Sequence, residues 1–241
     1  MSEFIQPNLV PAIPEMVLLA LTCLILVVDL FLPQEKRGFT LCLTVLALII
    51  TAAAVIAVAP VDAVSTFGGS FILDQLAVTL KVAILLISAL VFIYSRDYLK
   101  DHDIYKGEYY VLGLFAVLGM MIMTSAHSFL LVYLGLALLP LPLYAMIAFN
   151  RKSIQASDSS MKYSVLGAMA SGLLLYGISI FYGVTGTLDL NQLSDVVRVQ
   201  LTENPIVLSF ALTFIIVGLS FKLGAVPFHM WLPDIYQGAP T

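Results

Sequence analysis

Three lysines of this 241-residue chain fall inside, or at the ends of, long apolar runs: Lys81, Lys162 and Lys222. A lysine at the centre of a bilayer costs roughly 2.5–3.5 kcal/mol on insertion scales, so each needs a partner, a route to water or a use. Lys222 is the sharpest case. It follows FALTFIIVGLSF, which carries no other charge, and the sequence beyond it stays mostly apolar through Trp231. Five residues later stands Pro227, which has no amide hydrogen to give to the Leu223 carbonyl, and Gly224 adds conformational freedom. A buried amine beside a freed carbonyl at a helix break is a transporter device. Its chemistry is proton relay, in which a neighbouring carboxylate within about 4–6 Å switches the amine by pairing and unpairing. Snorkelling of a helix-end lysine to the interface is the bland alternative.

The other candidates have stronger bland readings. Lys81 lies seven residues after Asp74, on the same helix face through Val78, which suits a structural pair near a hydrated outer end. Lys162 follows the polar stretch Ser153–Ser160, with Asp158 four residues before it. That is a favourable acid-then-base order, and snorkelling explains this lysine without any function. His127, in a short turn between apolar segments, reads as a solvated turn residue. His229, beyond the Pro227 break, is a weak relay candidate and equally a hydrogen-bonded structural histidine.

The elements that must position these residues are transmembrane helices. The chain is 61% hydrophobic and 11% charged, with a mean hydropathy of +1.02 and a net charge of −4. A soluble domain carries about 25% charged residues, so a soluble domain, a disordered chain and a basic nucleic-acid binder are all excluded. A span needs about 20 mostly apolar residues. Seven segments qualify: Val10–Leu32, Phe39–Ala59, Phe71–Tyr94, Tyr109–Ala126, Phe129–Phe149, Met161–Val184 and Pro205–Val226. Their apolar runs do not alternate in polarity, which argues for helices and against an outer-membrane barrel. The fold class expected is therefore an all-α polytopic membrane protein with a broken seventh helix.

Pro7, Pro11 and Pro14 suit an irregular entry into the first helix, and the N-terminus lacks the basic region of a signal peptide. Lys36, Arg37, Arg96, Lys100, Lys106, Arg151 and Lys152 fall on one side and only Arg198 on the other. That bias places the N-terminus outside. Trp231 suits an interfacial belt, and Gly167, Gly172 and Gly177 suit close helix packing. Cys23 and Cys42 sit in apolar runs without metal-site or disulfide spacing. The chain has no GxSxG, GxGxxG after a strand, HExxH or P-loop.

The stretch GLSFKLGAVPFHMWLPDIYQGAPT, Gly218 to Thr241, resembles the seventh-helix signature of the antiporter-like subunits of respiratory complex I. LGLALLPLPLYAMIAF, Leu134 to Phe149, and MKYSVLGAMASGLLLYGI, from Met161, are most similar to the subunit N branch of bacterial NADH-quinone oxidoreductase. The resemblance implies a membrane-arm subunit of the respiratory chain: a translocase component, in the bacterial inner membrane, that moves protons while quinone is reduced elsewhere. It implies proton-transfer roles for Lys222 and Lys162 on a buried polar axis, and a weaker one for His229. His127 also falls on a family position. It implies no cofactor in this chain, with NAD, FMN, iron–sulfur clusters and quinone in partner subunits. The partners implied are other membrane-arm subunits and the lipid bilayer, with no nucleic acid.

Two departures accompany the resemblance. Ala137 stands where the family carries a glutamate in a pattern like LGLELLSLPLY, and Pro140 stands where Ser is usual. The expected acidic partner of Lys222 is thus absent, coupling is expected to be impaired, and Pro140 with Pro142 should kink the helix. Family members also have fourteen helices and about twice this length, so the chain is expected to match an N-terminal half. Residues 1–108 would hold helices 1–3, and residues 109–241 helices 4–7 of an incomplete first repeat. A subunit of a multisubunit sodium/proton antiporter and a non-transporting structural subunit are the competing readings. The Met161 stretch favours subunit N over the antiporter.

Overall fold

The computed structural model describes residues 8–33, 37–203 and 205–240. Pro7, Lys36 and Thr241 lie outside the described residues. Six helices are long and apolar enough to cross a membrane, and Glu108–Thr124 is a shorter apolar seventh. The chain divides at residues 139 and 140 into two units.

The first unit enters through a short 3-10 turn, Val10–Ala12, containing Pro11. It continues into α1 (Ile13–Phe31), whose first turn carries Pro14 where no intrahelical amide is needed. Then come α2 (Gly38–Ala57), an antiparallel hairpin of β1 (Val64–Thr66) and β2 (Phe71–Leu73), α3 (Gln75–Asp101), α4 (Glu108–Thr124) and α5 (Phe129–Leu138). The hairpin pairs Val64 with Leu73 and Thr66 with Phe71.

The hairpin corrects the expected third segment. Phe71 to Leu73 is strand, and the helix starts only after Asp74, whose carboxylate accepts the Ala77 amide at 2.7 Å. A side-chain cap of this kind satisfies one of the orphan amides that every helix start exposes. At its other end α3 runs past Tyr94 to Asp101 and takes in Arg96 and Lys100.

The shorter apolar helix α4 packs against α1, α2, α3 and α5. It buries Tyr109, Tyr110, Leu114 and Met121 almost fully. Surrounded in this way, seventeen residues suffice, because helices and not lipid cover most of its surface.

The second unit contains α6 (Pro140–Ile147), α7 (Ile154–Thr185), the amphipathic α8 (Leu193–Glu203), α9 (Pro205–Leu223) and α10 (Trp231–Gly238). The fifth expected segment is therefore interrupted at Leu139, with Pro140 opening a new helix as its fixed φ allows. The sixth starts seven residues earlier than expected. Ser153 caps it by accepting the Ala156 amide, so the polar stretch 153–160 is a cap and two helical turns rather than a loop.

Helices α7 and α9 form the main contact of this unit. A Cβ on Gly177 would come within 2.8 Å of the Ile215 amide nitrogen, and one on Gly218 within 2.7 Å of the Leu174 Cβ. Only glycine permits such a backbone approach, as expected for Gly177. Gly167 faces the Tyr144 ring, whereas Gly172 has open space around its Cβ position and packs against no helix.

Candidate proton-transfer site

The seventh span breaks where the sequence suggested. Gly224 adopts φ +65°, its amide donates to the Phe221 carbonyl at 3.0 Å, and the Ala225 amide reaches the Ser220 carbonyl at 2.8 Å. This pair of bonds with a left-handed glycine is a Schellman closure, so α9 ends by satisfying its last carbonyls. Pro227 falls in the turn that follows, and α10 resumes at Trp231.

Lys222 sits in the last turn of α9, immediately before this closure. Its Nζ is buried and meets no hydrogen-bond partner among the described residues. The neighbouring Phe221 ring stacks on Trp231 at 5.2 Å, and Trp231 stacks in turn on Tyr163 at 5.0 Å. Trp231 thus serves as an internal stacking partner of both, not as a free interfacial residue. The stack fixes α10 against α7 and α9, the helices that carry the two lysines.

Lys162, one residue before Tyr163, is held quite differently. Its Nζ lies 2.9 Å from Asp158 Oδ2 and 3.0 Å from Asp234 Oδ2. Asp158 comes from one turn earlier on α7, as expected; Asp234 comes from the first turn of α10. A second bond, from Ser159 Oγ to the Asp234 carbonyl at 2.8 Å, pins the same residue to α7. All three charged side chains are about half exposed. The lysine therefore bridges two carboxylates on separate elements. A proton or the amine itself can pass from one acid to the other with little motion.

Asp234 was not singled out from sequence. The available signal was that it is the sole acid after Glu203, seven residues beyond Pro227. His229 is exposed in the turn after the break, and its carbonyl accepts the Leu232 amide. The structure brings it to neither lysine by any bond. Ala137 lies in the penultimate position of α5 and is half-buried.

Two further expectations need correction. Lys81 does not pair with Asp74. Asp74 spends its carboxylate on the α3 cap, and the fully buried Lys81 makes an ion pair with Glu15 of α1. Glu15 was missed, although it opens an apolar run with no other charge before Asp29. His127 is not a solvated turn residue: its Nε2 is buried without a partner, and its amide donates to the Ser70 carbonyl at 2.8 Å. Among the described residues no group of three or more His, Cys, Asp or Glu could hold a metal ion. Cys23 and Cys42 are free thiols.

Buried lysines, lipid-length helices and a broken seventh span define a multi-pass helical membrane protein. Residues 126–241 match the family model described as NADH:quinone oxidoreductase/Mrp antiporter, and residues 64–110 match the one described as NADH-ubiquinone oxidoreductase (complex I), chain 5 N-terminus. NADH-quinone oxidoreductase subunit N of Thioalkalivibrio sulfidiphilus is 58% identical over 235 residues, covering 98% of this chain and 49% of that protein. A chain of respiratory complex I from Thermus thermophilus superposes with a TM-score of 0.74 at 28% identity, covering 94% of this chain and 47% of that one. A chain of the Mrp complex from Dietzia shares the fold, with a TM-score of 0.72 at 20% identity over 96% of this chain and 43% of that one. Over nearly its whole length the chain is similar to the N-terminal half of NADH-quinone oxidoreductase subunit N. It spans about half the length of the curated relatives it matches.

Proposed function

We propose that this chain is part of a membrane-arm subunit of a proton-translocating NADH:quinone oxidoreductase, in which Lys162 and Lys222 transfer protons. The observation that carries the reading is Lys222: an amine buried without a polar partner, one residue before the end of a broken span. A buried ionisable group at a helix break is costly, and it is retained where an ion must pass. Lys162, shared by Asp158 and Asp234, supplies a second station that can accept and release a proton. His229 is a weaker third candidate, placed by its position in the turn after the break.

In this reading the chain binds no redox cofactor. NAD, FMN, iron–sulfur clusters and quinone belong to partner subunits, and the neighbours are other membrane-arm subunits in a bacterial inner membrane. The N-terminus faces outward, supported by the one-sided distribution of Arg37, Arg96, Lys100, Lys106, Arg151 and Lys152. A division after residue 108 would separate three scaffold helices from the lysine-bearing ones. Ala137, in place of an acid, leaves Lys222 without its intended switch and weakens coupling.

Native-gel electrophoresis of mildly solubilised membranes, with in-gel NADH-dependent dye reduction, tests the assignment. Co-migration of the chain with the NADH-oxidising band is the expected result. Migration as a small species without that activity would withdraw it.

A further inference from the structure

The first unit contains a buried ion pair that the proposed mechanism does not use. Lys81 is 0% exposed and Glu15 is 7% exposed, and the two side chains are in contact. A buried pair is favourable only when its remaining lone pairs and protons are also satisfied, because removing two charges from water costs several kcal/mol per ion. Here they are not satisfied. Glu15 Oε2 meets no side-chain donor other than Lys81 among the described residues, and beyond Glu15 the Lys81 ammonium faces the Phe71 ring, 4.9 Å from its centroid, and feels the charge of Asp74 without bonding to it. A purely structural bridge would be expected to close these valences. This one keeps acceptor capacity in reserve.

Its position is equally specific. Glu15 is two residues into α1 and Lys81 six residues into α3. At about 1.5 Å per residue both lie within about 10 Å of their helix starts. The hairpin β1–β2 sits over that end. Its own Phe71 and Leu73 are buried, and Thr66 Oγ1 donates to the Asn8 carbonyl at 2.6 Å. The Ile72 amide donates to the Ser125 carbonyl at 2.9 Å, and Phe71 bridges to Ala126.

Among the described residues the titratable groups at this end of the unit are few. Asp74 caps α3 and His127 comes from the α4–α5 turn, with Nε2 and the nearby Ser125 Oγ buried and unpartnered. Asp62 precedes the hairpin, and neither the hairpin itself, the last turns of α2 nor those of α4 add another.

We propose that Glu15 and Lys81 form a second proton-binding site, which exchanges protons with the aqueous face covered by the hairpin. One proton adds to the Glu15 carboxylate: an O–H bond forms on Glu15, Lys81 stays an ammonium, and the ion pair becomes a neutral acid beside a cation. Release to the same face reverses the step, and no electron moves. The site goes beyond the Lys162 and Lys222 reading and does not depend on it.

Infrared difference spectroscopy of the assembled membrane complex, stepped between neutral and acidic pH in H2O and D2O, tests this. A carboxylic-acid carbonyl band that shifts in D2O is expected in the unaltered protein, with loss of that band in Glu15→Gln. Should Glu15→Gln fail to assemble, the double variant Glu15→Gln/Lys81→Met, which leaves no buried charge, carries the same comparison. Loss of the band in the double variant supports the site. A pH difference spectrum identical with and without the two substitutions would overturn it. Either result leaves proton movement through Lys162 and Lys222 to be judged separately.

Discussion

The two units of the chain solve the same problem in opposite ways. In the first, the buried Lys81 is met by a carboxylate from another helix, and the pair is sealed under an aromatic ring. In the second, the buried Nζ of Lys222 has no polar partner, and the nearby Lys162 is shared by two half-exposed acids. A paired charge can anchor helices at modest net cost. An unpartnered one is tolerated only where the charge is meant to come and go. The difference separates a unit whose buried amine is met by a carboxylate from one whose buried amine meets none among the described residues.

The largest effect is expected from breaking the matched pair. Lys81→Met leaves Glu15 as a buried lone carboxylate, which costs about 3–5 kcal/mol. The loss should appear as a sharp fall in assembled chain and in thermal midpoint. Glu15→Gln/Lys81→Met should recover most of it, and a double variant as unstable as the single one would remove the pair from the stability argument.

Next comes the α7–α9 contact that carries Lys222. Gly218→Val drives a branched side chain into Leu174, and overpacking of this kind costs about 1–3 kcal/mol. Reduced assembly is the expected readout. An unchanged melting profile would show that the two helices are free to separate there.

The comparison sharpens if Lys222 is given an acid. Ala137→Glu introduces a carboxylate on α5, and on the proposed reading the initial rate of NADH-driven proton movement should rise, by up to about tenfold, equivalent to about 1.4 kcal/mol. No increase would mean that position 137 does not switch Lys222.

The smallest effect is expected at Lys162. Asp234→Asn removes one of two partners from an exposed cluster, and exposed pairs contribute little. Proton movement should fall only modestly, because Asp158 remains. A loss as large as that of Lys162→Met would instead make Asp234 the principal partner.

Much of this was legible in the sequence. The apolar segments gave the helices because backbone groups in lipid have few other ways to pair, and Pro140 and Gly224 marked real interruptions. Lys222 was conspicuous because charge is expensive in an apolar run. What stayed hidden were partnerships across long sequence separations. Glu15 and Lys81 are linked by helix packing, not by spacing, and Asp74 was available nearby but is used by the α3 cap. Asp234 reaches Lys162 only because the Trp231 stack folds α10 back against α7. The hairpin was masked for a related reason: Phe71 to Leu73 is as apolar as the helix that follows, and only the Asp74 cap separates them.

The central claim is that Lys222 carries protons. The most direct test compares NADH-driven acidification in sealed membrane vesicles holding the complex with the natural chain and with Lys222→Met, at matched rates of NADH oxidation. The account predicts fewer protons moved per NADH in the variant, with assembly retained. An unchanged proton yield per NADH would contradict it.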